Sequence, residues 1–246
     1  MAKFEKTKRP AETVQQRATN LSATQFVKRL KTYASPEEKK RRETPNQNKN
    51  DKVLGVPMRQ VFALAKEFMG LPPSEIEVLL EHDIYEVRVG AVSIMDFQAR
   101  SKKTSHERRR ELYELYLRRH DRINTWDLVD RAAPYVIGGY LSDKPRDVLY
   151  ELARSDDMWE RRTAIVSTYF FIRQGDVKDT FDIAELLVHD QHDLSQRAVG
   201  GWVRGAGQKD LKRLLQFLDK HAATMPRTAL RYATEHLGKE QREHYM

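Results

Sequence analysis

The sequence contains no cysteine, which excludes a disulfide framework and a zinc site with thiolate ligands. It also has no apolar run near the roughly 20 residues that a transmembrane helix needs. The charged residues close to Met1 are not followed by the apolar segment of a secretory signal. These absences predict a cytoplasmic protein with no membrane partner.

Several catalytic signatures are missing as well. The sequence has no glycine-rich phosphate loop after a strand, no Gly-x-Ser-x-Gly and no His-Glu-x-x-His. Its histidines are scattered, and no two of them are placed as metal ligands on one predicted helix. We therefore expect neither a metal site nor a bound cofactor.

Positive charge is in excess. Lys and Arg outnumber Asp and Glu by 44 to 36, and the formal net charge is +8. In a folded protein this balance suggests a polyanionic partner, with nucleic acid as the first candidate. Simple solubility explains the charge equally well, so composition alone leaves both interpretations open.

The hydrophobic pattern is helical, and strand-like alternation is almost absent. Predicted helices include Met58–Met69, Tyr85–Arg100, His106–Arg119, Met158–Arg173, Leu194–Gly205, Leu211–His221 and Pro226–Leu237. Short polar linkers connect them, which is typical of an all-α bundle or solenoid. Residues 1–21 are predicted to form a flexible basic arm, and residues 22–246 a single helical domain.

Internal repeats favour the solenoid. An Arg followed by a small residue and an apolar residue recurs in Val87–Val92, Glu160–Ile165 and, more weakly, Gln196–Gly200. The spacing corresponds to roughly 36 residues per helix pair, close to the ~40 of HEAT repeats. This pattern predicts an α-solenoid of HEAT-like antiparallel helix pairs that forms a curved superhelix with a concave face. The remaining copy should lie near residue 125.

A short helix after residue 125 holds the first candidate site residues. Thr125 is a helix-capping residue type, and Pro134 ends or kinks the helix. Trp126 and Asp130 are four residues apart, so they share one helical face. Taken alone, such a tryptophan is more often a core residue. The pair gains weight only from the repeats around it.

The repeat register predicts that equivalent positions of neighbouring helices stack into columns. One column consists of Trp126, Arg162 and Arg197, and a second of Asp130, Val166 and Gly201, with Trp202 beside it. In solenoids such columns typically line the concave binding surface. They would bring an indole, two guanidinium groups and a carboxylate together. Arg88 and Arg161 are instead predicted to pair with an Asp of the preceding turn.

At these positions the sequence resembles the DNA alkylation repair family of HEAT-like DNA glycosylases, the AlkD type. The resemblance lies in Asn124-Thr-Trp-Asp-Leu-Val-Asp130 with Pro134, in Met158-Trp-Glu-Arg-Arg-Thr-Ala-Ile165, and in Gln196-Arg-Ala-Val-Gly200 with Arg204. It covers about residues 22 to 240. It implies removal of alkylated purines from duplex DNA, without the usual flipping of the base into a pocket and without a metal or redox cofactor. We accordingly expect a monomeric, nucleoid-associated protein.

The resemblance also implies roles for individual residues. Asp130 matches the family's catalytic carboxylate, Trp126 one aromatic of its site, and Arg162 its active-site arginine. Arg162, Arg197 and Trp202 are expected to contact nucleic acid. Gly201 stands where the family has a second tryptophan. Trp202 is displaced by one residue, which turns a helical side chain by about 100°.

Three functions follow as hypotheses. The first is a DNA glycosylase that hydrolyses the N-glycosidic bond of cationic N3- or N7-alkyl purines. The second is a non-catalytic DNA-binding repeat protein that recognises damaged or distorted DNA, which Gly201 favours. The third is a protein–protein scaffold, a common use of helical repeats. An Asp130→Asn variant that keeps DNA binding but loses base release distinguishes the first from the second.

Overall fold

The computed structural model describes residues 21–42 and 51–246. Across these residues the chain is helical, and its one β-type pairing is an isolated bridge between Lys52 and Ile84. The predicted all-α class is confirmed. The predicted arm over residues 1–21 lies outside the described residues except for Leu21, and the single domain over 22–246 stays a prediction. No helix in the two described ranges is long and apolar enough to cross a membrane.

The helices follow one another with short connections. They are α1 (Ala23–Lys31), α2 (Pro36–Arg42), α3 (Met58–Glu67), α4 (Pro73–Leu80), α5 (Tyr85–Arg100), α6 (His106–Arg118), α7 (Trp126–Ala133), α8 (Asp147–Leu152), α9 (Met158–Ser167), α10 (Tyr169–Ile172), α11 (Lys178–Leu187), α12 (Asp193–Gly207), α13 (Leu211–His221), α14 (Arg227–Ala233) and α15 (Lys239–Tyr245). Two 3₁₀ turns, His120–Arg122 and Tyr140–Asp143, and one π turn, Pro134–Gly138, lie between them.

One layer of helices runs through the whole array. Helices α5, α7, α9, α12 and α14 each pack against the next one. Other helices cover them from outside: α4 and α6 contact α5, α8 contacts α9, and α11 and α13 contact α12. This succession of neighbouring turns is the arrangement of an α-solenoid. It confirms the predicted HEAT-like superhelix, with the inner layer on its concave side.

Helix α5 is buried almost all round, including its charged residues Glu86, Arg88 and Asp96. The carboxylate of Glu86 accepts hydrogen bonds from the backbone N–H groups of residues 54–56 at 3.0, 2.8 and 3.2 Å. Arg88 donates from Nη2 to both carboxylate oxygens of Asp51 at 2.8 Å. These partners replace the water that buried charges lose. They also join the segment 51–56, which precedes α3, to helix α5.

The prediction for the two structural arginines is right in one case and wrong in the other. Arg88 pairs with Asp51, an Asp of the preceding turn, as predicted. Arg161 instead donates from Nε to Asp190 at 2.7 Å, and Asp190 follows it in sequence. The reason is that the turn after α11 lies beside the start of α9, where Arg161 also donates to the carbonyl of Ser155 at 3.0 Å. Arg161 therefore joins its turn to the next one.

Three further expectations are corrected. Val166 is fully buried, so the second predicted column does not continue across the concave surface at α9. The helix predicted over 158–173 divides at Thr168 into α9 and α10. The last helix, α15, was not predicted from the sequence. Thr125 makes no side-chain hydrogen bond to the helix backbone. Its hydroxyl donates to the carboxylate of Asp127 at 2.6 Å instead.

The end of α7 is set by a proline and a close backbone approach. Pro134 ends the α-helix, and the chain continues for one π turn to Gly138. A Cβ on Gly138 would lie 2.2 Å from the carbonyl oxygen of Ser167. Only glycine therefore allows the π turn after α7 to approach the end of α9 this closely.

Candidate functional site

The residues singled out in the sequence line one cavity of about 750 Å³ in the inner layer. They are Trp126 and Asp130 from α7, Arg162 from α9, and Arg197, Gly201 and Trp202 from α12. Tyr232 from α14 lines it as well. The repeat register thus brings together side chains from helices far apart in sequence. Placement alone does not test their chemical roles, which stay predictions.

Asp130 and Arg162 form a bidentate ion pair in the cavity wall. Arg162 Nε donates to Asp130 Oδ1 at 3.0 Å, and Arg162 Nη2 donates to Oδ2 at 2.8 Å. Its third nitrogen, Nη1, donates to the carbonyl oxygen of Leu194 at 2.6 Å. Arg162 is only 7 % exposed, whereas the Asp130 side chain is 33 % exposed. The arginine is therefore the more buried of the two, and the carboxylate is the more accessible from the cavity that both of them line.

Burial in the protein and the guanidinium of Arg162 shift the pKa of Asp130 in opposite directions. Burial raises the pKa of Asp130, because the charged form loses water. The hydrogen bonds and charge of Arg162 lower the pKa of the same carboxyl group, and the net direction is upward. Arg162 thus limits a rise that burial alone would make larger.

A buried polar cluster holds α9 in place next to Arg162. The hydroxyls of Tyr116 and Thr163 share a hydrogen bond of 3.0 Å, and His120 Nε2 lies 2.9 Å from the same Thr163 hydroxyl. Burial raises the pKa of Tyr116 and lowers the pKa of His120, so both remain neutral near pH 7. The cluster anchors the residue next to Arg162 without adding charge.

Two tryptophans lie on different walls of the cavity. Trp126 is the first residue of α7, and 52 % of its surface is exposed. Trp202 is partly buried and packs on Tyr169, with ring centroids 5.2 Å apart and an interplanar angle of 51°. Trp126 thus presents an open indole, while Trp202 is held by a neighbouring ring.

Two adjacent glycines of α12 have opposite surroundings. A Cβ on Gly200 would lie 2.3 Å from the carbonyl oxygen of Ala229, so α12 and α14 meet there backbone to backbone. A Cβ on Gly201 would meet no heavy atom within 4 Å, and Gly201 lines the cavity. The position at which the sequence lacks a second tryptophan is therefore open space.

Two further arginines at the cavity have carboxylate partners. Arg197 pairs with Asp193 one turn before it at 2.7 Å, and both side chains are about half exposed. Arg204 pairs with Glu235. An exposed pair of this kind contributes only about 0–1 kcal/mol. A phosphate can therefore replace Asp193 as the partner of Arg197 at little cost.

Sequence reasoning did not find every residue of the cavity. Tyr232 reaches it because α14 packs closely on Gly200, and no local signal in the sequence marks this contact. His192 also lines the cavity. Its Nδ1 accepts the N–H of Leu194 at 3.3 Å and so caps the start of α12.

Comparisons with known proteins give a family and a fold. The family model described as DNA alkylation repair enzyme matches residues 26–237. No functionally curated protein gives a significant match. A structure described as a predicted DNA alkylation repair enzyme from Enterococcus faecalis is 15 % identical, with a TM-score of 0.66 over 84 % of this chain and 97 % of that one. A crystal structure of AlkD2 from Streptococcus mutans is also 15 % identical, with a TM-score of 0.49 over 87 % and 99 %.

Proposed function

The chain belongs to the DNA alkylation repair enzyme family, and we propose that it is a DNA glycosylase. Its substrate would be duplex DNA containing cationic N3- or N7-alkylated purines. The observation that carries the proposal is Asp130, a carboxylate that is accessible from an open cavity while the more buried Arg162 holds both of its oxygens. A partly buried, oriented carboxylate at an aromatic-lined cavity suits a reaction in which positive charge develops on a sugar.

The reaction needs little from the protein beyond electrostatics and a positioned water. An alkylated purine carries a positive charge, so it leaves as a neutral base when it takes the electron pair of the N-glycosidic bond. Positive charge then develops on the deoxyribose, and the Asp130 carboxylate stabilises it. Water adds to C1′ on the sugar and releases a proton. Asp130 can orient that water because its carboxylate is exposed to the cavity.

Trp126 supplies a second favourable interaction. An indole face attracts a cation by roughly 0.5–2 kcal/mol, depending on how far the pair is desolvated. The exposed ring of Trp126 lies on the same helix as Asp130, one turn earlier. We therefore assign to Trp126 contact with the cationic base or sugar.

The arginines divide into two roles. The Asp130 carboxylate and the Leu194 carbonyl accept from all three Arg162 nitrogens, and Arg162 is buried, so we assign it the positioning of Asp130. Arg197 is half exposed at the same cavity, so we assign it a backbone phosphate. This assignment modifies the expectation that Arg162 itself contacts nucleic acid.

The proposal is tested by base release from a duplex that carries N7-methylguanine. Asp130→Asn should lower single-turnover release by at least about 100-fold, because a preorganised electrostatic group is typically worth that much. Its affinity for the duplex should stay close to that of the wild type. Asp193→Asn is the matched control, since it removes another carboxylate from the same cavity. Absence of release of any alkylated base by the wild type would refute the glycosylase.

A second candidate is a DNA-binding protein without catalysis that recognises distorted duplex. The observation in its favour is Gly201, which leaves open space where the resemblance leads one to expect a second indole. This function requires salt-sensitive binding to distorted DNA. It also requires that Asp130→Asn bind distorted DNA as tightly as the wild type, and that neither protein release a base.

A further inference from the structure

A buried set of three polar side chains joins the outer layer of helices to α9. Tyr116 of α6 is fully buried, and its hydroxyl lies 3.0 Å from the hydroxyl of Thr163 on α9. His120, the first residue of the 3₁₀ turn after α6, is 4 % exposed, and its Nε2 lies 2.9 Å from the same hydroxyl. Burying polar groups costs free energy that apolar side chains of similar size would not cost. These three residues therefore provide something other than interior volume.

The surroundings of His120 determine which of its ring nitrogens carries the proton. Burial lowers the pKa of His120, so the ring is neutral near pH 7. Its Nδ1 is buried and has no hydrogen-bond partner among the residues that the structure describes. A buried N–H without an acceptor is rarer than an unused lone pair, so the proton is on Nε2, which donates to Thr163. The Thr163 hydroxyl is thus held from two directions, by a helix and by a turn.

These hydrogen bonds fix the rotation of α9 about its own axis. Thr163 and Arg162 are neighbours, so their side chains point about 100° apart around the helix. Apolar contacts have no preferred direction, whereas a hydrogen bond weakens quickly when its distance or angle changes. The Thr163 hydroxyl therefore holds the rotation of α9 more strictly than its apolar neighbours can.

The ion pair between Arg162 and Asp130 is sensitive to this rotation. Its two hydrogen bonds are 3.0 and 2.8 Å long. A displacement of about 0.5 Å would lengthen both beyond the usual range of N–H···O bonds. The guanidinium would then hold one carboxylate oxygen, or neither, instead of both.

The charges around Asp130 show through which group the cluster can act. Burial is the main cause that raises the pKa of Tyr116, and the charges of Asp130 and Arg162 shift it further, up and down respectively. The phenol is therefore within electrostatic reach of the ion pair. Arg162 is the charged group that acts on the pKa of Asp130. The other titratable residues at the cavity lie on or next to α12 and α14: His192, Asp193, Arg197, Arg204 and Tyr232.

We propose that Tyr116, Thr163 and His120 are positioning residues that hold α9 in the rotation at which Arg162 binds both oxygens of Asp130. They line no part of the cavity and act through Arg162. The proposal rests on the proposed glycosylase function, because it concerns the carboxylate of that reaction. Removing a hydroxyl of the cluster should weaken the ion pair and thereby raise the pKa of Asp130.

The first test is Tyr116→Phe, which removes one oxygen atom and keeps the ring. The Asp130 carboxyl is titrated by ¹³C NMR, and single-turnover release of N7-methylguanine is measured across about pH 5 to pH 9. The titration midpoint should move to higher pH. On the acid limb, release relative to the plateau should fall by about threefold or more, the equivalent of one hydrogen bond. Tyr113→Phe is the matched control, because Tyr113 lies on the same helix but stacks on Tyr140 with ring centroids 4.4 Å apart. Its titration should coincide with that of the wild type.

The second test changes the residue on α9. Thr163→Val removes both hydrogen bonds, so its effect should be larger, about tenfold on the acid limb. Thr163→Ser keeps the hydroxyl and should behave as the wild type. Thr168→Val is the control, because Thr168 is also buried and its hydroxyl donates to the Ile165 carbonyl of its own segment at 2.7 Å. If Thr163→Val does not fold, Tyr116→Phe still decides.

A double-mutant cycle separates positioning from a general loss of stability. In an Arg162→Gln background, Tyr116→Phe should leave the titration of Asp130 unchanged, because the residue through which it acts is gone. An equal shift in both backgrounds would overturn the proposal. So would a wild-type titration in Tyr116→Phe, or the same shift in Tyr113→Phe. The NMR titration requires no catalysis, so it decides the proposal even if the wild type releases no base, a result that refutes the glycosylase alone.

Discussion

Replacing Arg162 with glutamine should move the acid limb of base release to higher pH. Arg162 contacts both oxygens of Asp130 at 3.0 and 2.8 Å, and its charge opposes the rise that burial causes in the pKa of Asp130. Without the guanidinium charge, burial is opposed less, so the pKa of Asp130 rises further. The reaction needs the ionised carboxylate. Activity is therefore lost, as pH falls, at a higher pH in the variant than in the wild type.

The geometry makes the shift of the acid limb large enough to measure. A cation within hydrogen-bonding distance lowers the pKa of a neighbouring carboxyl group. The pair here is bidentate and its arginine is buried, so little water screens the guanidinium charge from Asp130. On the acid limb, release by the variant relative to its own plateau should be about tenfold or more below that of the wild type at the same pH. Glutamine is the chosen replacement because it removes the charge and keeps a neutral N–H donor close to the position of Arg162 Nε beside Asp130. Far-UV circular dichroism should show that the variant is still helical.

The assay is single-turnover release of N7-methylguanine across about pH 5 to pH 9, in which the acid limb reports an essential base. Arg197→Gln is the control, because Arg197 lines the same cavity but pairs with Asp193. Its acid limb should coincide with that of the wild type. Coincident acid limbs for wild type and Arg162→Gln would show that Arg162 does not control the ionisation of Asp130.

Two further predictions concern stability and are measured by urea unfolding. Gly200→Ala should destabilise the protein by about 1–3 kcal/mol, because its Cβ would meet the Ala229 carbonyl, whereas Gly201→Ala should stabilise it by about 0.5–1 kcal/mol. Equal effects of the two alanines would contradict the close contact at Gly200. Arg88→Met should cost about 3–5 kcal/mol, because it leaves the buried carboxylate of Asp51 without its partner. Adding Asp51→Leu should recover much of that loss, and no recovery would argue against a buried pair.

Much of the fold could be predicted because helical periodicity is a local property. The bounds predicted for Tyr85–Arg100 and Leu211–His221 are those of α5 and α13. The short helix Lys239–Tyr245 was not predicted because none of its residues is buried. Its sequence therefore lacks the periodic apolar residues by which a helix is recognised. The division of residues 158–173 at Thr168 has no clear mark in the sequence either.

The placement of the site residues could be predicted because it follows from the repeat spacing. Asp130 and Arg162 are 32 residues apart, about one repeat, so neighbouring helices bring them into contact. The predicted columns nevertheless paired Arg162 with Trp126, and its actual partner is Asp130. The repeat spacing predicts which face of each helix a residue lies on. It does not predict how neighbouring helices are rotated and shifted relative to one another. Those depend on close contacts such as Gly200 with Ala229, which a single sequence does not show.

The missing side chain at Gly138 has a consequence for how such a protein can diverge. It lets the π turn after α7 approach Ser167 at the end of α9. Helix α7 carries Asp130 and α9 carries Arg162, so the contact at Gly138 joins the two helices that hold this ion pair. A larger residue at Gly138 would have to push the two helices apart. Substitutions at such interior joints can thus alter the geometry of a site while every residue in the site is inherited unchanged.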